Sequence, residues 1–178
     1  MLQLVPNLVT IVRGLCGPLV AWLLLVHDAH FLAFWLFVAA IASDLLDGFA
    51  ARLLNAHSKL GLLLDPIADK VLTNSVWVAL WWGGDAPLWL ASAALLRDVG
   101  VAAAWAWGGP RGLRWRPNAA GQVSVAFEGT AVSILVFHGP WLDVHWPSVG
   151  TAVGVAAVIL SLASLLQYAV EGPEQGGR

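Results

Sequence analysis

Charge is scarce in this sequence. Only 11% of its 178 residues are Asp, Glu, Lys or Arg, while 59% are hydrophobic and the mean hydropathy is +0.76. Soluble domains carry about a quarter charged residues, so this chain has too little polar side chain to face water, and lipid is its expected solvent. Cysteine is almost missing. A single thiol, Cys16 in an apolar run, excludes an internal disulfide and a cysteine-built metal cluster, and reads as a small, inert, buried hydrophobe. Repeats, low-complexity tracts and signs of a second domain are absent. So is the basic region of a secretory leader: the first apolar stretch begins near Leu8, contains Arg13 and runs into His27-Asp28-Ala29-His30 without a small-residue cleavage site. It is expected to stay as a membrane helix. The net charge of −2 identifies no partner, and no nucleic-acid partner is expected.

What is present is a series of apolar runs. About 20 apolar residues cross the roughly 30 Å of bilayer hydrocarbon, and six segments qualify: 7–27, 31–53, 62–82, 87–107, 119–138 and 147–169. Gly83-Gly84-Asp85-Ala86-Pro87, Gly108-Gly109-Pro110 and Gly139-Pro140 punctuate them. Lipid offers the backbone no hydrogen bonds, so each span is read as a helix. The predicted fold is an all-α, six-helix membrane bundle over residues 1–170, with a polar, disordered tail at 171–178. Lys and Arg are missing from the connections at 27–31, 83–87 and 138–147. They occupy the alternate ones as Arg52, Lys59, Arg111, Arg114 and Arg116, with Arg178 on the tail. The positive-inside rule then puts both termini on the cytoplasmic side of an inner membrane. Trp81, Trp82, Trp89, Trp141 and Trp146 at outer span ends, with Trp105, Trp107 and Trp115 at an inner end, read as aromatic belts.

The few charges fall where they are costly. An isolated ionised group near the bilayer centre costs about 2.5–3.5 kcal/mol on insertion scales. Yet Arg13 lies in the first span, Asp44, Asp47 and Arg52 close the second, Asp65, Asp69 and Lys70 open the third, Arg97 and Asp98 lie in the fourth and Glu128 in the fifth. Asp44 and Asp47 are three apart and Asp65 and Asp69 four apart, so each pair shares a helix face near the cytoplasmic end. Four facing carboxylates repel unless some are protonated or cations bind between them. Hard divalent ions with oxygen ligands suit that arrangement, and Mg²⁺ binds through a few carboxylates together with substrate phosphates. Two other readings compete: an acid–base network with Arg52 and Lys70, and a cation transporter that uses the aspartates as its path.

The small residues narrow the choice. Residues 44–69 read Asp44-x2-Asp47-Gly48-x2-Ala51-Arg52-x8-Gly61-x3-Asp65-x3-Asp69. Gly48, Ala51 and Gly61 let a flat ring or phosphate approach the helix backbone closely. Arg52 is a fixed cation for a phosphate, and Asp69 is placed to take the proton of an attacking hydroxyl. This spacing resembles the signature of the CDP-alcohol phosphotransferases at every motif position, and span number and motif position agree over nearly the whole chain. The resemblance implies a Mg²⁺ or Mn²⁺ site, of two ions, on Asp44, Asp47, Asp65 and Asp69, with Asp69 also the general base. It implies a CDP site at Asp47, Gly48, Ala51, Arg52 and Gly61, attack by an alcohol on the β-phosphorus of a CDP-lipid, release of CMP without a covalent intermediate, and a homodimer.

The substrates follow from finer likenesses. Pro6-Asn7-Leu8-Val9-Thr10-Ile11-Val12-Arg13 and Leu64-Asp65-Pro66-Ile67-Ala68-Asp69-Lys70 resemble the phosphatidylglycerophosphate synthase and cardiolipin synthase branch. Asn7, Thr10 and Arg13 recur every three residues on one face. Asn7 and Thr10 are assigned to the CDP group, and Arg13, Lys70, Arg97, Arg111 and Arg114 to the acceptor. Arg97-Asp98, where an Arg-Glu is expected for a phosphatidylglycerophosphate synthase, leans toward cardiolipin synthases. Gln122, in Pro117-Asn118-Ala119-Ala120-Gly121-Gln122, stands where Lys is usual. The donor is expected to be CDP-diacylglycerol. The acceptor is ranked as glycerol 3-phosphate, then phosphatidylglycerol, then inositol phosphate or another alcohol. Glu128 is expected to pair with Arg97 or Arg13, His57 reads as a solvated loop residue, and His27, His30, His138 and His145 have no evident partner.

Overall fold

The computed structural model describes residues 4–54, 61–108, 113–114, 118–139, 144–171 and 174–175; of these, the side chains of 4–9, 44–54, 61–63, 105, 108, 113–114, 169, 171 and 174–175 lie outside the described part. Six helices follow in order: α1 (Leu4–His27), α2 (His30–Leu54), α3 (Gly61–Gly83), α4 (Leu88–Gly108), α5 (Ala119–Phe137) and α6 (Trp146–Glu171). Each occupies an expected apolar segment. A two-residue antiparallel ladder, β1 (Leu113–Arg114) with β2 (Glu174–Gln175), joins the α4–α5 connection to the segment after α6. Nothing in the hydropathy marked those four residues, because two-residue strands have no periodicity to read.

Among the described residues, Thr10–His27, Ala119–Phe137 and Trp146–Tyr168 are long and apolar enough to cross a membrane, and His30–Ser43 is a shorter apolar stretch. The helices carrying Asp65, Asp69, Lys70, Arg97 and Asp98 fall outside that set. The surface is inverted relative to a soluble protein. Leu96, Leu166 and Phe31 are exposed, while Arg13, Asp98 and Glu128 are buried. On α4 the two classes are neighbours: Leu96 faces out at 71% exposure and Asp98 faces in at 4%. Water would penalise that distribution on both counts; hydrocarbon solvent favours it.

The turns explain the helix ends. After α1, Asp28 takes the left-handed conformation at φ 49° and Ala29 N–H donates back to Leu23 O at 3.1 Å. Gly84 does the same after α3 at φ 88°, a region open to glycine at no steric cost, and Asp85 N–H then reaches Leu80 O at 2.9 Å. Asn118 caps α5, its Oδ1 accepting from Gly121 N–H at 2.7 Å, which satisfies one orphan amide of the first turn.

Phe37, Leu72, Val76, Trp77, Leu80, Leu90, Val132 and Leu135 form the core. Glycine sets how closely its helices approach. A Cβ on Gly17 would lie 2.6 Å from Leu72 Cα and 2.8 Å from Val71 O, so α1 touches α3 backbone to backbone; one on Gly154 would strike Leu90. Small residues at helix contacts are what packing in lipid rewards. Gly17→Leu is therefore expected to force α1 off α3 at a cost of about 1–3 kcal/mol, whereas Gly14→Ala, whose new methyl meets Ala68 Cβ at an ordinary 3.4 Å, should leave thermal unfolding in detergent nearly unchanged. Equal melting of the two variants would remove the close-approach role of Gly17.

Candidate active site

The close contact of α1 with α3 builds the charged site. Arg13 and Thr10, three residues apart on α1, face Asp65 and Asp69, four apart on α3, as helical periodicity requires. Thr10 Oγ1 donates to Asp65 Oδ1 at 2.6 Å, and Arg13 Nη2 donates to the same oxygen at 3.3 Å. Arg13 Nε lies 3.4 Å from Asp69 Oδ1. The guanidinium is buried, with 2% of its side chain exposed, while Asp65 and Asp69 keep 52% and 48%. A buried cation thus backs two carboxylates whose outer halves stay accessible. The two are not held alike. The Thr10 bond is in the short range of charge-assisted hydrogen bonds, whereas the Arg13–Asp69 separation is well beyond their usual 2.7–2.9 Å. Asp65 is oriented firmly; Asp69 is held loosely.

The other interior charges form a second group. Lys70 Nζ donates to Asp98 Oδ1 at 2.6 Å, and Arg97 Nε stands 3.9 Å from that oxygen. Asp98 Oδ2 is buried with no hydrogen-bond partner among the described residues. Arg97 Nη1 donates to Glu128 Oε2, and Trp77 Nε1 donates to Glu128 Oε1 at 3.2 Å. Glu128 pairs with Arg97, one of the two partners expected for it. Among the described residues, Lys70 pairs with Asp98 rather than with Asp65 or Asp69. The sequence does not point to this pairing of Asp98, although a carboxylate in a segment read as a span is by itself a reason to look for a partner. Beside Arg97 are two cavities of about 300 and 390 Å³, the second lined also by Asn118, Gln122, Ser124, Ser164 and Tyr168.

Of the assigned site residues, the structure brings Thr10, Arg13, Asp65 and Asp69 together, and Lys70 with Arg97 through Asp98. Asp44, Asp47, Gly48, Ala51 and Arg52 lie on the backbone of α2, Asn7 on α1 and Gly61 on α3, with their side chains outside the described part; Arg111 lies outside the described residues and Arg114 contributes backbone to β1. The outer histidines do have partners. His30 contacts Asp28 and Val136 O, His138 contacts Asp85, His145 contacts Ser148, and His27 packs edge-on against Trp22. Two of these contacts join segments distant in sequence, His30 to Val136 and His138 to Asp85, and hydropathy carries no trace of such pairings.

A helical bundle with an apolar exterior, an interior network of charge and an accessible pair of carboxylates on one helix face defines the class to which the sequence motif pointed. The sequence model of the CDP-alcohol phosphatidyltransferases matches residues 3–166. The chain belongs to that family. A CDP-diacylglycerol–glycerol-3-phosphate 3-phosphatidyltransferase of Shigella flexneri is 30% identical over 176 residues, covering 92% of both chains. A cardiolipin synthase (CMP-forming) of Rattus norvegicus is 39% identical over 101 residues, 56% of this chain and 33% of the relative. A chloroplastic CDP-diacylglycerol–glycerol-3-phosphate 3-phosphatidyltransferase of Oryza sativa is 44% identical over 75 residues, 42% of this chain and 22% of the relative. The chain therefore spans a third or less of those last two proteins. Family membership sets aside the cation transporter.

Proposed function

We propose that this protein is a membrane-embedded phosphatidyltransferase that moves a phosphatidyl group from CDP-diacylglycerol to glycerol 3-phosphate and releases CMP. The observation that carries the reading is the α1–α3 face, where Arg13 and Thr10 back the paired carboxylates Asp65 and Asp69 of a complete family motif. In this reading all six helices span the membrane, the aspartates sit near the cytoplasmic face, and both termini are cytoplasmic, as the placement of Lys and Arg favours. Carboxylate oxygens are the donors that Mg²⁺ and Mn²⁺ take, so Asp65 and Asp69, with Asp44 and Asp47, fit such ions. When bound, the metal would neutralise charge on the diphosphate as its phosphorus–oxygen bond breaks.

The chain's own residues do the rest. Asp65, fixed by Thr10 and Arg13, orients the site. Asn7, Thr10, Asp47, Gly48, Ala51, Arg52 and Gly61 border the CDP group. The acceptor's hydroxyl oxygen forms the new bond at the β-phosphorus, the bond to CMP breaks, and the hydroxyl proton passes to the loosely held Asp69. A phosphorylated acceptor needs a cation. Lys70 suits that role better than Arg97: its side chain is 41% exposed and its ammonium has three donors, whereas Arg97 is 15% exposed and tied to Glu128. The full-length match to the bacterial glycerol-3-phosphate enzyme supports glycerol 3-phosphate over phosphatidylglycerol.

The test is purified protein in detergent given CDP-diacylglycerol with glycerol 3-phosphate, phosphatidylglycerol or inositol phosphate, with CMP measured and the lipid product identified. Phosphatidylglycerophosphate should form only with glycerol 3-phosphate, stop on chelation and resume with Mg²⁺ or Mn²⁺. CMP release that survives thorough chelation would refute the metal assignment, and cardiolipin as product would replace the acceptor.

A further inference from the structure

The transfer reaction leaves a second constellation unused, at the other end of the bundle. Asp65 and Gly83 are eighteen residues apart on α3, about 27 Å at 1.5 Å per residue. Beyond Gly83, three chain segments converge: the α1–α2 turn with Asp28 and His30, the α3–α4 turn with Asp85, and the C-cap of α5 with His138. Each is tied to its helix by a backbone bond, from Ala29 to Leu23, from Asp85 to Leu80 and from His138 to Ile134. His30, Asp85 and His138 each place one ligand atom within 4.8 Å of the others. The two imidazoles stack with centroids 4.9 Å apart at 28°, and Asp85 is mostly buried. The four residues line one wide cleft of about 1720 Å³.

His30 supplies an independent reason to look for a cation. Its Nδ1 lies 3.1 Å from Val136 O and its Nε2 lies 3.0 Å from Asp28 Oδ1. A backbone carbonyl only accepts, so Nδ1 carries the hydrogen. A neutral ring then turns the lone pair of Nε2 toward a carboxylate that also only accepts. The contact is repulsive until a cation lies between them, either a second proton or a metal ion. An imidazole that donates one N–H to a backbone carbonyl and offers its other nitrogen is the usual arrangement of a metal-binding histidine. Bonds of about 2.0–2.1 Å in a tetrahedron give ligand–ligand edges of about 3.3 Å; the His138–Asp85 edge is already 3.1 Å, and the three ligand atoms together lie within 4.8 Å, a spread that a bound ion would draw in.

We infer that His30, Asp85 and His138 bind a zinc-class transition-metal ion at the end of the bundle remote from the transfer site, with Asp28 or water in the fourth position. Two imidazoles with a carboxylate favour Zn²⁺ over the oxygen-seeking Mg²⁺. The ion would pin three connections that no covalent bond joins.

Co²⁺ reports such a site directly. Full-length protein in detergent, stripped of metal and titrated with Co²⁺ in excess Mg²⁺, should bind one Co²⁺ per chain with the intense visible bands of a four-coordinate, nitrogen-ligated ion, and Zn²⁺ should displace it. The double variant His30→Gln, His138→Gln is expected to lose the bands and to bind Co²⁺ about 100-fold more weakly or worse, with CMP release unchanged. Should that variant fail to fold, Asp85→Asn keeps the shape while removing the carboxylate, and should weaken Co²⁺ at least about tenfold. Wild-type protein without the bands, or folded variants that bind Co²⁺ as tightly as wild type, would overturn the assignment. The bands report the ion and not phosphatidyl transfer, so they stand or fall separately from the enzymatic reading.

Discussion

Asp69→Asn should lower CMP release by about 10²–10⁴-fold, the range that general acid–base catalysis contributes, while the protein still binds CDP-diacylglycerol. Asparagine keeps the shape of the side chain and loses the basic oxygen. Its only described polar contact on the α1 side is the 3.4 Å approach of Arg13 Nε, so little of the site's architecture hangs on its charge. Asp65→Asn makes the contrast. That carboxylate takes the Thr10 hydroxyl at 2.6 Å and the Arg13 guanidinium at 3.3 Å on one oxygen; an amide oxygen can still accept both, but without the charge that strengthens them, so the change should loosen the α1–α3 face and weaken substrate binding along with turnover. The two variants therefore separate kcat from KM: Asp69→Asn acts on the first, Asp65→Asn on both. Normal turnover in Asp69→Asn would remove it as the base; a parallel loss of CDP-lipid binding would make it a ligand of the donor instead.

Much of this is legible in the sequence. The six helices fall on the six apolar runs because hydrocarbon-length segments with Gly and Pro between them leave little choice of structure. Asp65 and Asp69 share a face because four residues are about one helical turn, and Arg13 faces the same way as Thr10 for a similar reason. Partner choice was less legible. Lys70 follows Asp69 directly and was expected to serve the motif or the acceptor, yet one residue rotates a side chain by about 100° around a helix, and that turns it to Asp98 on α4. Trp77 was outside every functional expectation, because a tryptophan in a span reads as core or belt until its N–H is seen against Glu128 Oε1. Gly17 and Gly154 went unremarked because a glycine's importance lies in what its missing Cβ would strike, and that depends on a helix distant in sequence.

Glu128→Ala is expected to cost about 3–5 kcal/mol of stability, the penalty for stripping one partner from a buried ion pair. The carboxylate is 7% exposed and holds two donors, Arg97 Nη1 and Trp77 Nε1. Its removal leaves a guanidinium that is 15% exposed, and the N–H of a tryptophan that is 1% exposed, without that acceptor. The charge carries most of the effect, since an orphaned neutral donor alone costs about 1–3 kcal/mol. Glu128→Gln, which can still accept from Trp77, should thus destabilise less than Glu128→Ala. Replacing both members, Arg97→Leu with Glu128→Leu, should recover most of the loss, because well-packed apolar pairs often match or exceed buried ion pairs. Thermal unfolding in one detergent orders the four proteins as wild type and double variant, then Glu128→Gln, then Glu128→Ala. If Glu128→Ala melted with wild type, the pair would contribute nothing to holding α4 on α5. Activity adds a second readout of the same network. Arg97 Nε stands 3.9 Å from the Asp98 oxygen that takes Lys70 at 2.6 Å. A guanidinium freed from Glu128 is drawn toward Asp98, competes there with Lys70, and should raise KM for glycerol 3-phosphate more than it lowers kcat.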